Sequence, residues 1–173
     1  MQTLITEDAI QERVTALGAH IAREFTGQPL TILGILTGSV VFLADLIRKI
    51  ELPLQLGLIQ ASSYRGKVTT PGELEINLQL IPDLTNRNVI LVDDIFDTGH
   101  TLAAITQIVR QHQPLRLQSA VLLKKQDRCQ VDLEPDHVGF TIPDTFVVGY
   151  GLDYDDDHRH LPYIAALDAT DLA

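Results

Sequence analysis

Apolar positions along the chain follow two patterns: a helical recurrence every three to four residues, and short continuous runs. After Thr6, the residues Ile10, Val14, Leu17 and Ile21 recur at helical spacing. Thr6 suits a helix cap, and Glu7 and Asp8 suit the positive end of the dipole, so the first segment is predicted to be an amphipathic helix. Residues 31–36 (TILGIL) read as a buried strand, and Thr37-Gly38-Ser39 then turns the chain into a helix running to about Ile50. Residues 54–61 read as another strand. Residues 62–73 are polar and hold Gly66, Pro71 and Gly72, which predicts a long loop of the kind that often serves as a lid. In the next stretch Leu74, Ile76, Leu78 and Leu80 alternate with polar residues, the period of a strand with one wet face and a candidate arm of a flap.

Residues 89–92 (VILV) form a continuous β-branched-rich run, expected of a strand buried on both faces. A loop over residues 93–101 follows. Leu102, Ile105, Ile108 and Val109 then mark a helix that ends before Pro114. Residues 117–123 and 146–148 read as later strands. Strands alternating with helices predict an α/β fold, a wound and mainly parallel sheet flanked by helices. Ligands of such sheets bind beyond the carboxyl ends of the strands. Repeats, low-complexity tracts and linkers are absent, so the 173 residues are expected to form one domain.

Composition narrows the function. Apolar residues make up 45% and charged residues 21%, as in ordinary globular proteins, and no apolar run approaches the roughly 18 residues of a membrane span. The opening residues lack the layout of a secretory signal, so a cytoplasmic location with no membrane partner is expected. The single cysteine, Cys129, excludes an internal disulfide and a cysteine zinc cluster. With 13 basic and 23 acidic side chains, the net charge of −10 argues against general nucleic-acid binding. It would equally repel a polyanionic small substrate. An enzyme for such a substrate must therefore concentrate positive potential in amide groups, metal ions or a few placed Lys and Arg.

The strongest chemical signal is Val89-Ile90-Leu91-Val92-Asp93-Asp94-Ile95-Phe96-Asp97-Thr98-Gly99-His100-Thr101. Asp93 and Asp94 stand where a buried strand meets solvent. There they can accept hydrogen bonds from sugar hydroxyls or engage Mg²⁺ directly or through water. Gly99 permits an unusual backbone turn. Amides of that turn and of the helix start can converge on a phosphate, with the Thr98 and Thr101 hydroxyls assisting. A dianion can thus be held with little side-chain charge.

This string closely resembles the diphosphate-ribose signature of the type I phosphoribosyltransferases, and further blocks follow the family order over about residues 5–165. Leu36-Thr37-Gly38-Ser39, with Phe42 and Ala44-Asp45-Leu46, resembles the pyrophosphate loop. Ser63-Tyr64 is similar to the start of the mobile catalytic loop. Lys124 follows a strand where the purine enzymes carry a base-contacting lysine. The stretch from Phe146 through Val147, Val148, Gly149, Tyr150, Gly151 and Leu152 to Asp153 and Tyr154 resembles the purine-holding segment of the hypoxanthine-guanine members, and Arg159 matches their pyrophosphate-contacting arginine.

The resemblance implies purine salvage: transfer of a 5-phosphoribosyl group from 5-phosphoribosyl 1-diphosphate to hypoxanthine or guanine, with Mg²⁺ as cofactor. It also implies a mobile lid at about residues 62–81, a small base-binding hood built from N-terminal and C-terminal segments, and a homodimer or homotetramer. Asp97 is expected as the acid/base residue, near the purine N7. Asp93 and Asp94 are expected on the ribose hydroxyls and metal, Asp153 on a second Mg²⁺, and Asp97, Thr98, Gly99, His100 and Thr101 around the 5-phosphate. Thr37, Gly38, Ser39 (with its hydroxyl) and Arg159 are expected on pyrophosphate. Lys124 is expected on the purine 6-oxygen, Phe146 stacked on the base, Val147 on its edge, and Ser63 and Tyr64 on the lid. Asp155-Asp156-Asp157-His158 and His160 read as a solvated acidic turn.

Thr37 and His100 depart from the family, whose members commonly carry basic residues there, and the lid segment 65–72 is only loosely similar. The family often has a non-proline cis peptide in the pyrophosphate loop. Two other functions remain open from sequence: a non-catalytic nucleotide sensor on the same fold, and the same reaction on xanthine.

Overall fold

The two strands with no polar face lie side by side in the middle of a sheet. A computed structural model of the protein describes residues 1–63, 74–168 and 171. In it β2 (Leu30–Leu36) pairs in parallel with β5 (Asn88–Phe96), and the six-stranded order is β4-β3-β2-β5-β6-β7. The other members are β3 (Leu54–Ser63), β4 (Leu74–Leu80), β6 (Arg116–Lys125) and β7 (His137–Ile142). All neighbours are parallel except the edge strand β4, which is antiparallel to β3.

The pleat of β5 sorts its side chains to the two faces. Ile90 and Val92 pack with residues of α1 (Glu7–Glu24) and α2 (Val40–Ile47), including Ile10, Val14, Leu17, Ile21, Phe42 and Leu46. Val89 and Leu91 pack on the other face with Leu102, Ile105 and Val109 of α3 (His100–Arg110). Thr6 caps α1 by accepting from the Ala9 amide at 3.4 Å. A second sheet, ordered β1-β9-β8, joins β1 (Gln2–Ile5), β8 (Val147–Val148) and β9 (Ile164–Ala166) in antiparallel fashion. Its Ile5, Val147 and Ile164 enter the same core as α1 and α2.

Several boundaries differ from the pattern-based expectation. β5 runs on to Phe96, so Asp93 and Asp94 lie in the strand and not in a loop. Pairing with β6 continues through Ile95↔Leu123 and Phe96↔Lys124, and Phe96 is buried. The second helix ends at Ile47, short of Ile50. Leu80 was expected on the inner face of β4 yet is 65% exposed. The register between β3 and β4 shifts between Leu58 and Gln60, and one extra residue turns the following side chains to the opposite face. β1, β7 and β9 were not anticipated. Of the lid at 62–81, the backbone of Ser62 and Ser63 lies in β3; Tyr64 and residues 65–73 lie outside the described residues. Among the described residues no helix is long and apolar enough to cross a membrane.

The first helix approaches the segment after α2 at a glycine. A Cβ on Gly18 would stand 2.4 Å from Lys49 Cβ and 2.8 Å from the Lys49 carbonyl. Backbone there has no room to yield. Gly18→Ala is therefore expected to lower stability by about 1–3 kcal/mol through overpacking, despite a helix-propensity gain of up to about 1 kcal/mol. Urea unfolding measures it; a variant as stable as the parent would show that this approach is not tight.

Candidate active site

Three segments converge beyond the carboxyl ends of the central strands. A cleft of about 310 Å³ is lined by Leu36 at the end of β2 with Thr37 and Gly38 after it, by Asp93 and Asp94 at the end of β5, and by Asp97, Thr98 and Gly99 leading into α3 with Thr101 in its first turn. Gly99 is the N-cap of α3 with φ 86°, left-handed, and no side chain caps the helix. The first turn carries no acidic residue. Its leading amides are thus without an intrahelical partner and turned toward the cleft end, the arrangement that binds anions. Glycine is required twice over: a Cβ would also meet Val131 Cγ2 at 2.5 Å and the Phe96 ring at 2.8 Å.

Opposite this nest, the Leu36–Thr37 peptide is cis. Gly38 sits against Asp94, where a Cβ would fall 1.7 Å from Asp94 Oδ2. Thr37 and Gly38 line the cleft, but Ser39 does not. Its side chain is fully buried and its Oγ donates to the Ile35 carbonyl, so the expected hydroxyl for pyrophosphate is already committed to the backbone. His100 is likewise displaced: it is exposed, outside the cleft lining, and its Nε2 meets Gln130 Oε1 at 3.1 Å.

The acidic pair is deeply placed. Asp93 Oδ1 accepts from the Asp94 amide at 3.0 Å, and Asp94 Oδ1 from the Ile95 amide at 2.8 Å. Burial, with the Asp94 carboxylate beside it, pushes the Asp93 carboxyl well above the ordinary range, and burial also raises Asp94. Asp97 behaves oppositely. Burial pushes its carboxyl up, but the hydrogen bond from Arg128 and the charge of Lys125 outweigh that and hold it below the usual range. Arg128 Nε donates to Asp97 Oδ1 at 2.9 Å, and Lys125 Nζ lies 3.4 Å from Asp97 Oδ2. Both cations also reach Asp144, at 3.7 and 3.4 Å.

On the far side of Asp97 a second pocket is lined by Lys125, Phe146, Val147, Leu152 and Asp153, together with Asp94 and Ile95. Lys124, the lysine expected here, is elsewhere: its Nζ pairs with Glu134. Adjacent residues of a strand face opposite ways, so Lys125 points into the pocket and Lys124 away. Phe146 is 43% exposed and meets Tyr154 edge-on at 5.4 Å, leaving ring area open to the pocket mouth. Arg159 donates to the Gly151 carbonyl at 2.9 Å and pairs with Asp153 at 2.9 Å. The Asp153 carboxylate also accepts from the Asp156 amide at 3.0 Å.

Arg128, Lys125 and Asp144 were missed by sequence reasoning. No periodicity marks them, since their convergence on Asp97 depends on the turn after β6. The two pockets are mechanically joined as well. Tyr150 donates to Asp45 Oδ2 at 2.6 Å, and a Cβ on Gly151 would lie 2.4 Å from the Gly38 carbonyl, so the segment after β8 rests directly on the loop after β2.

An anion nest at the end of a central parallel strand, an acidic pair before it and a lysine-lined pocket beside it fit a phosphoribosyl-transfer fold. The chain belongs to the phosphoribosyl transferase domain family, which matches residues 3–155. Within it, the chain is similar to the hypoxanthine-guanine phosphoribosyltransferase of Staphylococcus epidermidis, at 42% identity over 96% of this chain and 93% of that protein. Among solved structures, a hypoxanthine-guanine phosphoribosyltransferase from Bacillus anthracis superposes with a TM-score of 0.88 at 40% identity, covering 96% of each chain. A Trypanosoma cruzi hypoxanthine phosphoribosyltransferase in a ternary substrates complex superposes at 0.91 with 33% identity, covering 100% of this chain and 98% of that one.

Removing the guanidinium should release Asp97. Arg128→Gln is expected to raise the Asp97 pKa toward the ordinary carboxylate value, because the lowering hydrogen bond is lost while burial remains. The carboxyl ¹³C shift followed through acid titration reads this directly. An unchanged midpoint would mean that Arg128 does not set the charge of Asp97.

Proposed function

We propose that the chain catalyses purine salvage, transferring the 5-phosphoribosyl group from 5-phosphoribosyl 1-diphosphate to hypoxanthine or guanine and yielding IMP or GMP and pyrophosphate. The observation that carries this reading is the place of Asp97, between the Gly99 nest and the Lys125–Phe146–Val147 pocket. A nucleoside monophosphate has the same sequence of parts: phosphate, sugar and base.

In this reading the amides from Gly99 to Leu102, with Thr98 and Thr101, hold the 5-phosphate. Thr37, Gly38 and Arg159 face the pyrophosphate. Phe146 stacks on the purine and the Val147 backbone meets its edge. Lys125 replaces Lys124 as donor to the 6-oxygen. An ammonium cannot accept, so adenine, with an amino group there, is rejected. Asp97, kept ionised by Arg128 and Lys125, accepts the proton or hydrogen bond of N7. The purine N9–anomeric carbon bond forms as the carbon–pyrophosphate oxygen bond breaks, with inversion.

The donor set suits Mg²⁺. Asp93 and Asp94 offer hard oxygens side by side, and their raised affinity for protons marks a pair that a divalent cation would relieve. Bound there, Mg²⁺ would neutralise charge on the leaving pyrophosphate and orient it. Asp153 is a weaker candidate for a second ion, since Arg159 already holds it.

We also infer that the β1-β9-β8 sheet forms a hood over the base, that residues 62–81 with Ser63 and Tyr64 cover the site during turnover, and that the enzyme is a cytoplasmic homodimer or homotetramer. The exposed free thiol of Cys129 supports a reducing compartment, and closed symmetric assemblies are the rule among oligomers.

Asp97→Asn is expected to cut turnover by about 10²–10⁴-fold, the usual range for general acid–base loss. Steady-state assay of pyrophosphate release checks it, and near-parental turnover would remove Asp97 from the chemistry. The two lysines separate cleanly. Lys125→Met is expected to lower kcat/KM for hypoxanthine by about ten- to a hundredfold, as for a lost charged hydrogen bond; Lys124→Met should leave it within about twofold. The opposite ranking would restore Lys124 to the base site. Xanthine in the same panel tests the remaining 6-oxopurine.

A further inference from the structure

Away from the cleft, α1 and β7 bring two imidazoles and a carboxylate together. His20 and Glu24 lie one helical turn apart on α1, and His137 begins β7. Glu24 Oε2 stands 3.7 Å from His20 Nε2 and 3.9 Å from His137 Nε2, and the three ligand atoms all lie within 4.8 Å of one another. We propose that His20, Glu24 and His137 form a binding site for a borderline divalent transition-metal ion, Zn²⁺ above all, that joins α1 to β7.

Three features support it. The carboxylate is oriented. Glu24 Oε1 is taken by Arg116 at 2.6 Å and by the Gln118 amide at 3.0 Å, which leaves Oε2 facing the imidazoles. Such outer partners fix ligands in metal sites. The ligand types are selective: two imidazoles and one carboxylate suit Zn²⁺ and not Mg²⁺. The scaffold is held, because Arg13 on the same helix donates to the Val138 and Gly139 carbonyls of β7 at 2.6 and 2.8 Å.

The required movement is small. Ligand atoms around tetrahedral Zn²⁺ at about 2.0–2.1 Å lie roughly 3.3 Å apart. Each imidazole must therefore approach Glu24 by about half an ångström, and the two imidazoles must close by up to about 1.5 Å. His20, 57% exposed at its side chain, has the freedom to do so. Burial lowers the His137 pKa and favours its neutral, ligating form. Binding uses the His137 Nε2 lone pair, so its proton resides on Nδ1. The Gln118 Oε1 now 3.1 Å from Nε2 then becomes the adjacent oxygen, available beside water as fourth ligand. Asp136, also near His137, adds negative field against the charge of Arg116.

The test is Zn²⁺ titration of chelator-stripped full-length protein against a chromogenic competitor, in excess Mg²⁺, with Co²⁺ absorption as a second readout. The parent should bind one Zn²⁺ that His20→Ala and Glu24→Gln each weaken at least tenfold, and the visible bands of tetrahedral Co²⁺ should fade in both. His160→Ala, in the acidic turn, should change neither. Equal affinity in the parent and in His20→Ala, or a loss that follows His160→Ala instead, overturns the proposal. Catalysis is not measured, so the result is independent of the proposed reaction.

Discussion

The left-handed residue at the start of α3 is the constraint on which the proposed handling of a phosphorylated substrate depends. With a net charge of −10 it has little long-range attraction to offer an anion. Gly99, at φ 86°, turns the backbone so that the uncapped amides of α3 open into the cleft. Phe96 and Val131 pack against the glycine so closely that no side chain fits. The turn is locked from two sides, since the Gln130 amide donates to the Thr98 carbonyl at 2.9 Å. In the proposed reading, phosphate affinity is built from peptide dipoles fixed by packing.

The few cations present are placed where charge has to be controlled. Arg128 and Lys125 converge on Asp97 and share Asp144. Their effect on Asp97 opposes that of burial and keeps it an acceptor, whereas burial prevails at Asp93 and, despite the charge of Arg159, at Asp94, and pushes both toward the protonated form. Neighbouring carboxylates on one strand end and its loop thereby differ in their hold on a proton, which is the division that the proposed metal-binding pair and base-facing acceptor require.

Much of this was legible in the residues. The helical stripe of α1, the buried runs of β2 and β5, and the Asp-Asp through Thr101 string follow from period and chemistry. What failed did so for local reasons. Choosing between Lys124 and Lys125 requires the parity of the pleat at the end of β6, which a run of apolar residues followed by two lysines does not reveal. The Ser39 hydroxyl looked free because its competitor, the Ile35 carbonyl, is four residues back around a turn. His100 was expected at the phosphate, but its side chain leans outward to Gln130, thirty residues on, which leaves only its amide for that role. The Leu80 error came from a register shift that alternation cannot show. β1 and β9 are short and depend on each other across nearly the whole chain.

The most direct test of the central claim compares IMP with inosine by amide NMR. The amides of Gly99, His100, Thr101 and Leu102 are expected to shift strongly with IMP and hardly at all with inosine, because only the former carries the anion. Equal shifts with both ligands, or a phosphate-dependent response confined to another region, would contradict it.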